Sequence, residues 1–446
     1  VIGRSSNTLT QVTGDPDTSK HNVALVVAGN KVDITDRISG GKIGGLLEYR
    51  DQVLDPAINE LGRIALALAD TMNSQHQKGM DLDGNLGGLL FNDINDSAAI
   101  TSRLSANSQN TSIVSSAFVQ IDDVSLLKAS DYEISFGSAN TLTVERLSDG
   151  KTFSLSGMQE VGTPAELSGM DNAYYADFSQ GVVNVALDGM EISIDVKGRF
   201  VTGDRFLVQP TRLAGAEFDT VLTDGRQLAL ASPVRITESA DNVGTGVAEV
   251  NITDVSANTF QRQERAMSPP VEIVFSGKEP TTFTVYDISV PDLPVVFEAD
   301  DTGPMVDQTF VAGEPIELDG YEIIIRNQPV AGDRFSFSYN TDGVSDNRNA
   351  LHMSNLQLDD TIEGGSYQDI YGRLIERVGT ETSVSVINRD ASQAVLTSSQ
   401  ESKAALVGVN LDEEAAKLIQ FQQAYQASAQ LIRASQTLFD SLLNAI

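Results

Sequence analysis

Apolar residues follow different spacings in different parts of the chain, and each spacing predicts a different kind of element. From Leu46 to about Gln77 they recur at intervals of three and four, which is the period of one helix face. Between residues 100 and 345, short alternating or β-branched runs are typical of strands separated by turns. Helical spacing returns from about Asn347, and no proline follows Pro329. The order helix, β, β, helix predicts a multidomain α+β protein.

The first forty residues predict a β-hairpin that leads into the long helix. Asn22 to Ala28 is a Val-rich run, and the turn signal Gly29-Asn30 separates it from a second run at Lys31–Ile34. Pro56 lies inside the helical pattern, so we expect a bend or restart there, with Asp55 as the N-cap. The helix carries one apolar stripe, formed by Leu54, Ile58, Leu61, Ala65, Leu68 and Met72.

The β-rich region contains an internal repeat. Four short segments recur in the same order at a nearly constant offset, and the first pair is identical at six of nine positions. Two copies of one β-domain are therefore predicted, at about 112–210 and 243–342. The matching pairs are Ala117–Ser125 with Ala248–Ser256, Glu133–Phe136 with Glu272–Phe275, Leu187–Gly189 with Leu318–Gly320, and Gly203–Phe206 with Gly332–Phe335.

The C-terminal segment from about Leu411 to Ile446 predicts a long helix with a coiled-coil seam. Asn410 is a suitable N-cap, and Glu413 three residues later completes a capping-box pattern. Sustained heptads normally indicate helix pairing, although an ordinary helix packed on its own domain is the alternative. We predict that this seam needs a partner, either an N-terminal helix missing from this sequence or a neighbouring subunit. It is formed by Leu411, Leu418, Tyr425, Ile432, Phe439 and Ile446, with Leu442 adding apolar surface beside it.

These elements combine into one simple architecture. A helical stalk, or coiled coil, is formed by both chain ends, and two duplicated all-β domains are inserted between them. The predicted divisions are 1–95 for the hairpin and long stalk helix, 96–242 for the first β-domain with its connector, 243–345 for the second β-domain, 346–408 for the returning stalk helices, and 409–446 for the C-terminal assembly helix.

Composition narrows the possible partners. The net charge of −32 disfavours nucleic acid and anionic membranes, because a strongly acidic surface repels phosphate. No run of 18 or more apolar residues is present, so no membrane span is predicted. The absence of cysteine excludes disulfides, thiol nucleophiles and thiolate metal sites.

Catalytic patterns are absent from the sequence. His21, His76 and His352 are not spaced as metal ligands, and we expect each to have an ordinary packing or surface role. Asp81–Asn85 imitates the start of a calcium loop, but Leu86 and Asn92 stand where Gly and Glu are needed, so a turn is predicted. The chain is predicted to be no enzyme, with no catalytic residue, cofactor or metal site.

Several segments resemble flagellar axial proteins. Gly408–Ala416 and Phe421–Ala427 are similar to the C-terminal signature of flagellar rod, hook and hook-associated proteins. The ending Ala434–Asn444 is closest to the hook-associated protein 1 family. The resemblance covers 1–95 and 346–446 well and the first β copy loosely. Further stretches that look like this family are Gly44–Arg50, Asn73–Gly79, Asp81–Asn85 and Asp346–Asn349.

This resemblance implies a secreted structural subunit of the bacterial flagellum, located at the junction between hook and filament. It would be exported by the flagellar type III pathway and would polymerise through terminal helices that form an inner tube, with β-domains projecting outward. The implied partners are copies of itself in a ring, hook protein, the next hook-associated protein, and an export chaperone at the C-terminal helix.

The sequence departs from the family pattern in two ways. The family's N-terminal assembly helix is missing, so we expect a fragment whose C-terminal helix is solitary, mispacked or partly disordered. The second β copy looks like an addition to shorter members. Two alternatives remain open at this point: another axial protein (third hook-associated protein, flagellin or hook protein), or a surface adhesin with repeated β-domains.

Overall fold

The computed structural model describes residues 7–138, 140–262, 265–277, 281–290, 292–299, 303–407 and 411–444. About 35% of the chain is helical and 28% is strand, so the fold is mixed α+β as predicted. The chain divides into two compact units, Val1–Ile375 and Glu376–Ile446. The first unit holds all the described strands, and the described part of the second is helical.

The helices are α1 (Gly41–Tyr49), α2 (Asp55–Gln77), α3 (Ser97–Ser102), α4 (Ala214–Glu217), α5 (Asn258–Gln261), α6 (Arg348–Asn355), α7 (Tyr367–Val407) and α8 (Leu411–Leu443). The strands of the N-terminal sheet and the first β region are β1 (Thr8–Thr13), β2 (His21–Val27), β3 (Asn30–Asp33), β4 (Leu104–Ala106), β5 (Val114–Ile121), β6 (Tyr132–Phe136), β7 (Leu142–Arg146), β8 (Lys151–Ser154), β9 (Gln159–Glu160), β10 (Ala173–Asp177), β11 (Val182–Leu187), β12 (Met190–Val196) and β13 (Arg205–Val208). Those of the second β region are β14 (Val234–Glu238), β15 (Val247–Ile252), β16 (Val271–Ser276), β17 (Thr282–Asp287), β18 (Val295–Val296), β19 (Glu298–Ala299), β20 (Gly303–Pro304), β21 (Gln308–Thr309), β22 (Pro315–Leu318), β23 (Tyr321–Arg326) and β24 (Arg334–Tyr339).

The N-terminal segment forms the predicted hairpin, with one further strand. β2 and β3 pair around the turn at Ala28-Gly29, and β1 adds to the other side of β2. The expectation for the following helix was wrong at one point. Asp55 is not an N-cap, because Leu54 before it already has helical angles and a π-helical segment, Arg50–Leu54, joins α1 to α2. The Asp55 carboxylate is used instead in a buried ion cluster.

Helix α2 buries a different face from the one its apolar stripe would favour. Its stripe residues Leu54 and Leu61 are 42% and 46% exposed. The buried positions are largely polar, because loops rather than a second apolar helix cover this side and their backbone groups need hydrogen-bonding partners. The buried residues are Asn59, Gly62, Arg63, Leu66, Ala67, Ala69, Asn73 and His76.

Gly62 of α2 allows the connector, which is the segment between the two β regions, to approach the helix closely. A Cβ at Gly62 would lie 1.8 Å from the carbonyl oxygen of Thr211, which no side chain can tolerate. The backbone at Thr211 therefore lies directly against α2, and α4 follows it along the same helix. This close approach brings Arg212 next to the N-terminal end of α2.

Arg212 is the centre of a buried ion cluster. Its Nη1 lies 2.6 Å from Oδ1 of Asp55, and its Nη2 pairs with Asp131. Lys20 from the N-terminal sheet also pairs with Asp55. Burial alone would raise the pKa of Asp55, but hydrogen bonds from Arg212 and Lys20 outweigh it and leave that pKa lowered. The cluster thus connects the N-terminal sheet, α2, the first β region and the connector.

The first β region consists of two five-stranded sheets. Their strand orders are β5-β12-β11-β10-β9 and β4-β13-β6-β7-β8. Alternating residues of the strands point into one core, which is why the β-branched runs in the sequence alternate with polar positions. Val119, Ile134, Ile192 and Phe206 are among its fully buried members.

The second β region has a similar strand order. One sheet runs β14-β24-β16-β17-β18, with β21 also paired to β17, and the other runs β15-β23-β22. Its core contains Val250, Ile273, Ile323 and Phe335, which occupy the same strand positions as the four core residues named above. Strand β14 begins at Val234 and pairs with β24, so this sheet starts before residue 243, where the sequence had divided the two β-domains.

The repeated Gly-Asp-Arg-Phe motif forms the same turn in both regions. The carboxylate of Asp204 accepts backbone N–H groups from Thr111 and Val201, both at 2.9 Å. The carboxylate of Asp333 accepts backbone N–H groups from Val243 and Val330, also at 2.9 Å. Burial would raise the pKa of each carboxyl, but these hydrogen bonds outweigh it and lower both pKa values. The motif is a fold element, as its duplication suggested.

We expect Asp204→Ala and Asp333→Ala to destabilise their own β regions by a similar amount, about 2–3 kcal/mol each, because several buried N–H groups lose their acceptor. Chemical denaturation, monitored by hydrogen exchange of the backbone amides in β13 and β24, measures the stability loss of each β region separately. The control is Asp241→Ala, whose side chain is exposed and should change stability by less than about 0.5 kcal/mol. A large loss of stability in one variant and none in the other would contradict the equivalence of the two turns.

The ion cluster predicts a pH-dependent loss of stability. Arg212→Ala should cost about 3–5 kcal/mol at neutral pH, because the buried Asp131 loses its cation and Asp55 keeps only Lys20. The contribution of Asp55, whose folded pKa is lowered, is present above its unfolded pKa of about 3.9 and is lost as the pH falls through the folded pKa. The difference in the free energy of unfolding between wild type and Arg212→Ala should therefore become smaller in acid.

Urea denaturation at neutral pH and near pH 3 tests this. Arg205→Ala is the control, because its pair with Glu133 is largely exposed and should contribute less than about 1 kcal/mol. A cost for Arg212→Ala that is independent of pH would refute the electrostatic explanation.

Candidate assembly interface

The C-terminal helix α8 presents its apolar seam to solvent. The described seam residues are between 58% exposed, at Ile432, and 81% exposed, at Leu411. None of the residues of Glu376–Ile446 whose burial is described is buried. The described part of the predicted interface therefore forms one continuous apolar face without a covering partner, made by Leu411, Leu418, Tyr425, Ile432, Phe439 and Leu442.

The predicted N-cap Asn410 and the last seam residue Ile446 lie outside the described residues. Glu413 lies in the first helical turn with Asp412 and Glu414, where carboxylates favour the helix dipole. Lys417 reaches back to both Glu413, at 3.5 Å, and Glu414, at 3.1 Å. The charged groups near the start of α8 are thus engaged along the helix itself.

Three hydroxyls along α8 are also satisfied within the helix. Ser428, Thr437 and Ser441 donate to backbone carbonyls four residues earlier, at 2.7–2.9 Å. These three groups therefore need no outside partner for hydrogen bonding. The apolar seam beside them is typical of a helix that is completed by another helix.

Helix α7 ends close to the predicted boundary at residue 408. It is continuous from Tyr367 to Val407, although Gly379 and the β-branched run at Thr380–Ile387 lie in its middle. The hydroxyls of Thr382 and Ser383 bond to carbonyls one turn back, at 2.6 and 3.1 Å. At its start, Ile370 packs in the core cluster that includes Leu66 of α2.

A second exposed apolar face, on α1 and α2, was missed as a possible surface. Leu46 is 69% exposed, and Ile43, Leu54 and Leu61 are exposed as well. The signal in the sequence was the seven-residue spacing of leucines, which is the repeat of a helix seam. These leucines are Leu47, Leu54, Leu61 and Leu68.

The other groups singled out in the sequence have structural roles. The ring of His76 is fully buried, with Nδ1 2.8 Å from the carbonyl oxygen of Gly88 and Nε2 accepting from the backbone N–H of Ala229 at 2.9 Å. Asp81 forms the predicted turn by accepting the backbone N–H groups of Asp83 and Asn85, both at 2.8 Å. Within the described ranges, no three His, Asp or Glu side chains are grouped to hold a metal ion.

None of the described helices is long and apolar enough to cross a membrane.

Three family models match separate parts of the chain. Residues 1–91 match the flagellar hook-associated protein FlgK helical domain, and residues 105–210 match the D2-like domain of flagellar hook-associated protein 1. Residues 406–445, which include α8, match the flagellar basal body rod FlgEFG protein C-terminal family. The C-terminal segment is thus shared with proteins elsewhere on the flagellar axis.

Individual relatives agree with these matches. Flagellar hook-associated protein 1 of Salmonella typhimurium is 25% identical over 448 residues, and that of Escherichia coli is 26% identical over 449 residues. Each alignment includes 100% of this chain but 57% of the relative, so the chain spans little more than half their length. A Bacillus subtilis relative is 33% identical over 120 residues, covering 26% of this chain and 23% of the relative.

A solved structure shares the fold. The flagellar hook junction protein FlgK from Burkholderia pseudomallei aligns with a TM-score of 0.65 and 24% identity, covering 90% of this chain and 71% of that one. The chain is thus similar to proteins of the bacterial flagellum in its N-terminal, first β and C-terminal segments. Among these it is similar to flagellar hook-associated protein 1, whose relatives align with all of it.

Because the seam is already exposed, replacing it should not destabilise the fold. We expect Leu418→Gln with Ile432→Gln to leave the thermal midpoint within about 2 °C of wild type, since little buried apolar area is lost. The same variant should lower self-association at high protein concentration, measured by sedimentation velocity. Gln420→Ala with Gln430→Ala, exposed positions outside the heptad seam, is the matched control. A large drop in the midpoint for the seam variant alone would show that the seam is covered within the chain.

Proposed function

We propose that the protein containing this chain is a structural subunit of the bacterial flagellum at the junction between hook and filament. The similarity supports this, because the relatives named above are hook-associated proteins and the similar solved structure is a hook junction protein. The observation that carries the proposal is the exposed seam of α8. A regular apolar seam without a partner in the free chain is what an assembling subunit would require.

In this proposal the subunit polymerises through its terminal helices. The seam of α8, made by Leu411, Leu418, Tyr425, Ile432 and Phe439, would pair with helices of neighbouring copies in a ring. The exposed leucines of α1 and α2 add a second surface of the same kind. Both faces are apolar, so burying them against one another or against neighbouring axial proteins would provide the driving force for assembly.

Hook protein on one side and the next hook-associated protein on the other are the proposed neighbours in the flagellum. Before assembly, an export chaperone would cover the α8 seam and so prevent premature association. The protein would leave the cell by the flagellar type III pathway and remain at the extracellular junction. This role requires binding and rigidity and no catalysis.

We also infer that the two β regions are duplicated domains. Their sheets share strand order, their core residues occupy equivalent strands, and the Asp204 and Asp333 turns use the same hydrogen bonds. The backbone carbonyl of Gly189 accepts two successive N–H groups, and that of Gly320 does the same. In the assembled structure, these domains would project outward from the helical core.

A complementation experiment tests the role and the location together. A strain lacking its own gene receives the full-length protein with Leu418→Glu and Ile432→Glu. We expect loss of swimming in soft agar and release of the protein into the medium, because two charges on the seam prevent its burial. Gln420→Glu with Gln430→Glu adds the same charge outside the seam and should swim normally.

Immunogold labelling of the wild-type protein supplies the second readout. Label at the boundary of hook and filament is expected. Label along the filament or the hook would contradict the proposed location, and normal swimming of the seam variant would contradict assembly through α8.

A further inference from the structure

A cleft of about 450 Å³ separates the end of α2 and the whole of α6 from the second β region. That volume lies within the range of small-molecule sites, which is about 300–1,000 Å³. The cleft is not used by the assembly surfaces described above. The two helices form one wall, and strands β15 and β23 form the other.

The helical wall is basic, although the protein as a whole is strongly acidic. Lys78, Arg348 and His352 all line it. Arg348 and His352 are four residues apart on α6 and therefore share one helix face. Arg348 uses Nε and Nη2 on Asp346 and donates from Nη2 to the carbonyl of Val234. Within the described part of the chain, the Lys78 ammonium and the His352 ring make no side-chain hydrogen bond or ion pair. After the hydrogen bonds from Ser256, the charge of Lys78 also helps to lower the pKa of Asp254, so this carboxylate is its nearest electrostatic partner.

This wall is held in place by hydrogen bonds behind it. The side-chain amide of Gln75 donates to Asn349 at 2.7 Å, which joins α2 to α6. Asn349 in turn donates to the carbonyl of Ala229 at 2.6 Å. Lys78 and His352 each follow one of these joined residues by three positions, so their backbone anchors are fixed relative to each other.

The opposite wall has hydrogen-bond acceptors. The side-chain amide of Asn251 donates to Glu322 Oε1 at 2.8 Å, which orients both side chains across β15 and β23. This arrangement leaves the second carboxylate oxygen of Glu322 and the amide oxygen of Asn251 as acceptors. Val250 and Ile252 contribute apolar surface beside them.

The cleft thus offers the Lys78 ammonium and the Arg348 guanidinium on one wall, beside the His352 ring, and acceptors on the other. A ligand that satisfies both needs an anionic group for Lys78 and Arg348, and hydroxyl donors for Glu322 and Asn251. A bare inorganic anion has no donors for the second wall, and a neutral sugar has no charge for the first. We propose that this cleft binds a small acidic sugar, with the carboxylate on the helical wall and the hydroxyls on the strand wall.

Isothermal titration calorimetry of the whole chain with glucuronate tests the proposal, with glucose and acetate as comparison ligands. We expect saturable binding of glucuronate at least tenfold tighter than of either comparison ligand. Lys78→Gln with His352→Gln should weaken it at least tenfold, whereas Lys42→Gln, an exposed lysine on α1, should leave it unchanged. Circular dichroism of each variant confirms that the fold is retained.

Three results would overturn the proposal: no saturable glucuronate binding, binding unaffected by the double variant, or acetate binding as tightly as glucuronate. The last result would mean that the strand wall contributes nothing to recognition. Because the cleft shares no residue with the α8 seam, these outcomes are independent of the complementation experiment. A failure here would leave the proposed assembly role untouched.

Discussion

The packing of the first unit depends on which side chains α2 buries and which it leaves exposed. A helix with a regular apolar stripe would normally turn that stripe toward the core. Here the core-facing side also carries polar residues, and Asn59, Arg63, Asn73 and His76 are buried on it beside the apolar Leu66, Ala67 and Ala69. The reason lies in what covers the helix. Loops and turns pass over this side, and their backbone N–H and C=O groups need partners that leucine cannot supply.

Asn73, Arg63 and His76 bond to such backbone groups, whereas the amide of Asn59 donates to the Asp131 carboxylate. Asn73 accepts the backbone N–H groups of Leu90 and Phe91 at 2.9 and 2.8 Å, and it donates to the carbonyl of Phe91 at 3.1 Å. Arg63 donates to the carbonyl of Leu127 at 3.2 Å and pairs with Glu363 at 2.6 Å. Such contacts fix one arrangement more strongly than apolar packing does, because a small shift leaves a buried group unsatisfied. The polar face of α2 thus specifies where the β regions and the start of α7 lie.

The sequence predicted what depends on local pattern. The hairpin at β2 and β3, the α+β class and the helix over the C-terminal heptads all follow from residue spacing within a few turns, as does the turn at Asp81. It could not predict what depends on distant partners. Asp55 resembles an N-cap until Arg212 and Lys20 are brought beside it, and β14 resembles connector until β24 pairs with it. The heptads of α8 predicted its seam, and the missing partner helix had already led us to expect that the seam would be solitary.

The exposed seams create a risk of aggregation, and the acidic composition reduces that risk. A subunit that assembles by burying apolar helix faces must keep those faces uncovered in the free state, which favours aggregation. A net charge of −32 opposes that tendency, because like-charged surfaces repel each other when they come within about 8 Å at physiological salt. The seam residues of α8 carry no charge, so the repulsion acts on contacts between the charged surfaces more than on a contact between seams. Apolar seams on a strongly acidic protein therefore favour association in a defined register over association at random.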